Sequence, residues 1–131
     1  MPDHPMARWL FVWGPPIGLM AAIFAVSSVP HLDTSSSGVS DKNLHFWTYG
    51  LLGVLLVRAL AAADWTAVTI RTAVLAWVCG VGYGAFDEVH QAFVPGRTMS
   101  GGDLLADAVG TALGAGAALV AARLRARDRA V

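Results

Sequence analysis

The chain has 131 residues, of which 56% are hydrophobic and only 14% charged, with nine basic and nine acidic residues cancelling to zero. Soluble domains carry about 25% charged residues, and one of this length exposes too much surface to do without them. The balance excludes an ordinary soluble domain, and the lack of a basic face with interleaved aromatics excludes nucleic-acid binding.

The length suits one domain, residues 1–131. Residues 1–7 are polar and Pro-containing and are expected to lack regular structure. From Trp9 to Val29 the chain reads WLFVWGPPIGLMAAIFAVSSV, without a charge and close to the ~20 residues that a spanning helix needs. Pro15 and Pro16 should kink this helix or delay its regular part. The rival reading is a secretory signal peptide, with Arg8 as its basic flank and Ala25-Val26-Ser27 as its cleavage site. The long apolar run and its two internal prolines favour the membrane helix.

Pro30 to Ser40 is a loop by composition, and Ser40 or Asp41 is suited to cap the second helix, residues 41–63. That helix is polar in its first turns and apolar in its last. Asp64-Trp65-Thr66 makes a short break. The third helix covers residues 71–93, with Gly80 and Gly84 spaced for close approach of a neighbour. Cys79, the only cysteine, falls within it; a disulfide framework is excluded, and a small buried residue is expected. Residues 94–102 form a turn-rich loop, and the fourth helix covers 103–123, where Gly110 and Gly114 repeat the small-residue spacing. The expected fold class is therefore all-α, an integral membrane bundle of four transmembrane helices.

An even number of spans puts both termini on one side. With the termini in the cytoplasm, Arg8, Arg58, Arg71, Arg123, Arg125, Arg127 and Arg129 lie inside, and only Lys42 and Arg97 lie outside. This is a positive-inside bias, and it places the protein in the plasma membrane as a multi-pass chain. The C-terminal arginines also suit anionic membrane lipid.

The same connectivity gathers the polar residues at the outer face. The stretch FDEVHQAFVPGRTMSGGDLLAD, residues 86–107, holds Asp87, Glu88, Asp103 and Asp107, although apolar segments flank it. Ionisable groups in such places are kept for pairing or function. Lys42, His45 and Tyr49 share a face of the second helix, Asp87 or Glu88 shares one with Gln91 on the third, and Asp103 and Asp107 are four apart on the fourth. Lys42 and Arg97 are expected to neutralise two of the carboxylates. His45 with Asp87 and Glu88 is the candidate catalytic group; Lys42, Tyr49, Gln91, Arg97, Asp103 and Asp107 are candidate ligand-binding residues. Asp41 and Asp103 also suit helix capping, and His90 is assigned no role. No named catalytic, nucleotide or metal motif is present, so no cofactor is expected and no metal is assigned; His45 and His90 with Asp or Glu have the chemistry to ligate a metal, but their spacing matches no named site.

The segments DKNLHFWTYGLLG, residues 41–53, and DEVHQAFVPGRTMSGGDLLADAVGTALG, residues 87–114, resemble the VanZ-like membrane proteins. Asp41, Lys42, His45, Tyr49, Asp87, Glu88, Gln91, Pro95, Gly96, Arg97 and Asp103 carry the resemblance, with the Ser27-Ser28-Val29-Pro30 end of the first helix. It covers about residues 24–116. One departure is Asp107, where the family often has asparagine. The resemblance implies a small integral membrane protein, the family being named for a member tied to low-level teicoplanin resistance. The reading is then an envelope protein with an outward polar pocket for a lipid headgroup, cell-wall precursor or glycopeptide. Its rival is an intramembrane enzyme acting on a lipid-linked phosphate or ester. Homo-oligomerisation through the glycine stripes is a further expectation.

Overall fold

The computed structural model describes residues 2, 4–30 and 40–129; the expected loop over 30–40 falls, except for its ends, outside the described residues. Four helices follow one another: α1 (Pro5–Ser27), α2 (Asp41–Leu60), α3 (Ile70–Gln91) and α4 (Gly101–Asp128). A short 3-10 turn, Trp65–Ala67, precedes α3, and no strand occurs among the described residues. By length and composition α1 and α4 are long and apolar enough to cross a membrane; α2 and α3, which carry most of the polar row, do not meet that standard.

Three boundaries differ from expectation by more than two residues, each for a local reason. α1 begins at Pro5 rather than Trp9, because a proline at the first helical position loses no hydrogen bond and the His4 ring accepts from the Met6 N–H at 3.3 Å. α2 stops at Leu60 rather than Ala63, where Ala62 and Ala63 turn left-handed with φ of 51° and 61°. The Ala63 N–H then closes on the Arg58 carbonyl at 2.8 Å, a helix stop in which glycine is more usual. α4 runs on to Asp128 and takes Arg123, Arg125 and Arg127 into its last turns, where cations oppose the negative end of the helix dipole.

The double proline does not break α1. Neither Pro15 nor Pro16 has an N–H to give, so the carbonyls four residues earlier, those of Phe11 and Val12, lose their helical donors. The Arg58 guanidinium of α2 supplies the replacement: its Nη1 donates to Phe11 O at 3.1 Å and Val12 O at 3.3 Å, and its Cζ lies 4.6 Å from the Phe11 ring centroid.

Helices α2 and α4 run parallel and form the tightest seam. A Cβ on Gly114 would collide with the Gly50 carbonyl, and one on Gly110 with the Phe46 carbonyl. Gly53 leaves similar room for the Thr111 backbone. Against α3 the fit is backbone to side chain: Gly80 faces Thr111 and Gly84 faces Asp107. The glycine stripes of α3 and α4 are thus used between helices of one chain. In this packing backbone proximity and dispersion are what join the helices.

The distribution of side chains is the reverse of a soluble protein's. Trp47, Val78, Leu105 and Leu113 are exposed on the outward faces of α2, α3 and α4. His45, Asp87, Glu88, Gln91, Asp103, Asp107 and Thr111 are buried, beside an apolar core of Tyr49, Leu52, Leu56, Val57, Ala76, Ala115 and Leu119. Cys79 is exposed, contrary to expectation: it lies on the outward face of α3, while its neighbour Gly80 is the residue turned inward.

Candidate ligand site at the acidic end

The end where α1 and α3 finish and α2 and α4 begin gathers the acidic residues. It is built by caps and one turn. Ser40 caps α2, accepting from the Asn43 N–H, and Ser100 caps α4, accepting from the Asp103 N–H, both at 3.3 Å. Asp41 and Asp103 are therefore first-turn residues rather than caps. Between α3 and α4, Pro95-Gly96 makes a turn closed by Arg97 N–H to Val94 O at 3.1 Å, with Gly96 at φ 76°, the value that needs glycine after proline. That turn folds Arg97 back over the end of α3.

The side chains then connect in two sets. His45 Nδ1 lies 2.9 Å from Asp107 Oδ1, joining α2 to α4 in the one ion-pair geometry found among the described residues. Gln91 Nε2 donates to Asp87 Oδ2 at 2.9 Å, and Arg97 Nη2 donates to Gln91 Oε1 at 2.9 Å. Glu88 Oε2 accepts the Ser100 N–H and so ties the end of α3 to the cap of α4. Tyr49 is fully buried, its ring 6.1 Å from that of His45 and nearly parallel to it.

Two expectations fail here. Arg97 reaches an amide oxygen, not a carboxylate, because the tight turn brings its guanidinium to the side of α3 that Gln91 occupies. Lys42 is exposed, its stem laid over Gly102, and it forms no ion pair among the described residues. Helical spacing assigns a face but not the direction in which a long side chain leaves it. The carboxylates consequently keep spare capacity. Asp87 Oδ1, Glu88 Oε1 and Asp107 Oδ2 are buried without a hydrogen-bond partner, and so is the Tyr49 hydroxyl. Buried polar groups are nearly always bonded, so four such atoms on residues of one polar cluster are unusual.

A cavity of about 160 Å³ opens beside them. One wall is apolar, from Leu19, Ala22, Ile23 and Val26 of α1; Asp41, His45, Tyr49, Asp87 and Arg97 provide the polar side. Of the other predicted site residues, Lys42, Glu88, Gln91, Asp103 and Asp107 do not line it. His45, Glu88 and Asp107 each bring a ligating atom within 4.8 Å of the others, and Asp41, His45 and Asp103 do the same. The first group combines three helices and the second α2 and α4, and neither follows a sequence motif. Sequence reasoning also missed His90, whose Nε2 is 2.9 Å from Ser28 Oγ and whose ring stacks on Phe24 at 4.3 Å, fastening α3 to α1. The Ser27-Ser28 pair at the end of the apolar run was the available signal.

Among known proteins, a family model described as VanZ/LLP1 matches residues 12–122. No curated protein and no solved structure matches the chain.

Proposed function

The chain belongs to the VanZ/LLP1 family and its two apolar helices mark a membrane protein; on that premise we propose that all four helices cross the bilayer, with both termini cytoplasmic and the acidic end facing the cell envelope. The exposed apolar residues on α2 and α3, among them Trp47 and Val78, support spanning by those helices as well, because a contiguous apolar surface of this kind needs a covering phase. The cavity is then a binding site for an amphiphile of the envelope, a lipid or lipid-linked cell-wall precursor. The observation that carries this reading is the two-sided lining: a hydrocarbon chain would lie along Leu19, Ile23 and Val26, and a headgroup would meet Asp41, His45, Asp87 and Arg97. Arg97 spends one nitrogen on Gln91, which leaves other donors for an anionic group, while the carboxylates suit hydroxyl or amine donors. Lipid co-purifying with wild type, Arg97→Ala and Ile23→Trp tests it. Stoichiometric lipid in wild type and loss in both variants is expected; equal retention in all three would count against it.

One arrangement favours the enzymatic alternative. Asp107 orients the His45 imidazole through Nδ1, as a carboxylate does for a general base, and Glu88 stands beside the pair. In that reading His45 takes a proton on its other nitrogen and Asp107 positions it. Turnover of lipid-linked phosphates or esters by wild type, but not by His45→Ala, is the expected result; identical traces for the two would remove it.

A further inference from the structure

We propose that His45, Glu88 and Asp107 form a binding site for a first-row divalent cation of the Zn2+ or Mn2+ type at the junction of α2, α3 and α4. The inference does not depend on the amphiphile reading; it stands on the geometry of three side chains. Their ligating atoms converge within 4.8 Å, and all three residues are buried. Two of their oxygens, Glu88 Oε1 and Asp107 Oδ2, have no partner although Glu88 is 2% exposed and Asp107 0%.

A buried carboxylate is ordinarily paired or bound to a metal. Pairing is not what this centre offers. Among the described residues no lysine or arginine forms an ion pair with either acid. Arg97, the nearest candidate by sequence, is held by Gln91, and the Lys42 stem lies over Gly102. His45 is the sole basic partner, and it engages only Asp107 Oδ1. Asp87 Oδ1 and the Tyr49 hydroxyl, on residues that line the cavity together with His45, are also unpartnered. A divalent ion neutralises two carboxylates at once, which one imidazole cannot do. The donor set also selects the metal: imidazole with carboxylates suits zinc, manganese or iron, whereas Mg2+ and Ca2+ prefer oxygen alone. The glycine at 84 completes the site, because a Cβ there would come within 2.7 Å of Asp107 Oδ2 and crowd the carboxylate.

The test uses full-length protein purified in detergent and stripped with chelator, then titrated with Zn2+ alone and with Mn2+ alone. Wild type is expected to bind one ion per chain, with Glu88→Gln and Asp107→Asn each at least about tenfold weaker. Asp128→Asn, exposed at the far end of α4, is expected to match wild type. Circular dichroism and gel filtration establish that the variants are folded; because both are near-isosteric, each keeps the shape of the site. Absence of stoichiometric binding by wild type, or binding by folded Glu88→Gln and Asp107→Asn equal to wild type, overturns the proposal. Failure of lipid retention with metal binding intact would instead remove the amphiphile reading and leave this one standing.

Discussion

The two ends of the bundle treat their polar groups in opposite ways. At the arginine end, where α2 and α4 finish, Arg58 bonds the two carbonyls left free by Pro15 and Pro16, and Arg125 lies 5.0 Å over the Trp65 ring. Thr69 and Thr72 close a reciprocal cap at the start of α3. Even Asp64, fully exposed, receives both the hydroxyl and the N–H of Thr66, at 2.7 and 2.9 Å. At the acidic end four carboxylates are buried, and three of them, Asp87, Glu88 and Asp107, each keep an oxygen without a donor. Polar groups are completed where they cost least to leave open and left open where they cost most. On the proposed reading, the acceptors left open at the acidic end are the ones a ligand would use.

The largest expected effect tests the frame that both ends share. Gly114→Leu drives a side chain into the Gly50 carbonyl, and overpacking of this kind costs about 1–3 kcal/mol or more; backbone on both sides leaves little to yield. Loss of folded protein by gel filtration and circular dichroism is expected. Gly82→Ala, with nothing within 4 Å of its Cβ, should instead be neutral or gain about 0.5–1 kcal/mol as a helix-interior glycine is removed.

The arginine end can be broken next. Arg58→Ala leaves the Phe11 and Val12 carbonyls orphaned, and losing a charged donor costs about 1.5–3 kcal/mol. Arg58→Lys should recover part of this, since one ammonium reaches one carbonyl more readily than two. Denaturant midpoints read both. A smaller change sharpens the same region: Ala63→Gly relieves a left-handed alanine, worth about 1 kcal/mol, and should raise the thermal midpoint.

The smallest effect is a pH dependence. The Thr66 hydroxyl and N–H hold the Asp64 carboxyl below its ordinary value. A depressed folded value stabilises above the unfolded value and is lost as pH falls through the folded one. Wild type should therefore lose a slight increment of stability in acid, and Thr66→Val, which keeps only the N–H donor, should lose less, visible as a difference between their midpoint-against-pH curves.

Much of the frame was legible beforehand. Uncharged runs and loop chemistry gave four helices, and the i, i+4 glycines gave the faces that meet. Connectivity alone put His45, Asp87, Glu88 and Asp107 at one end. The Arg58 contact was readable too, since a proline pair names the carbonyls it strands, but the arginine was assigned only to membrane topology. What the chain could not show was the choice made by long side chains. Arg97 takes Gln91 and Lys42 lies outward, and this alone turns an expected set of ion pairs into a centre of open acceptors. The departures at Ala62 and Ala63 were equally hidden, because alanine is the residue least expected to stop a helix.

The central claim is that the acidic end keeps carboxylate capacity for a ligand at the expense of stability. Thermal unfolding of Glu88→Gln in detergent with chelator present measures it most directly. The amide retains an acceptor for the Ser100 N–H and removes a buried charge. The account predicts a midpoint above wild type, joined to loss of metal binding. A midpoint several degrees below wild type would mean that the Glu88 charge serves the fold, and the acidic end would then be scaffold rather than site.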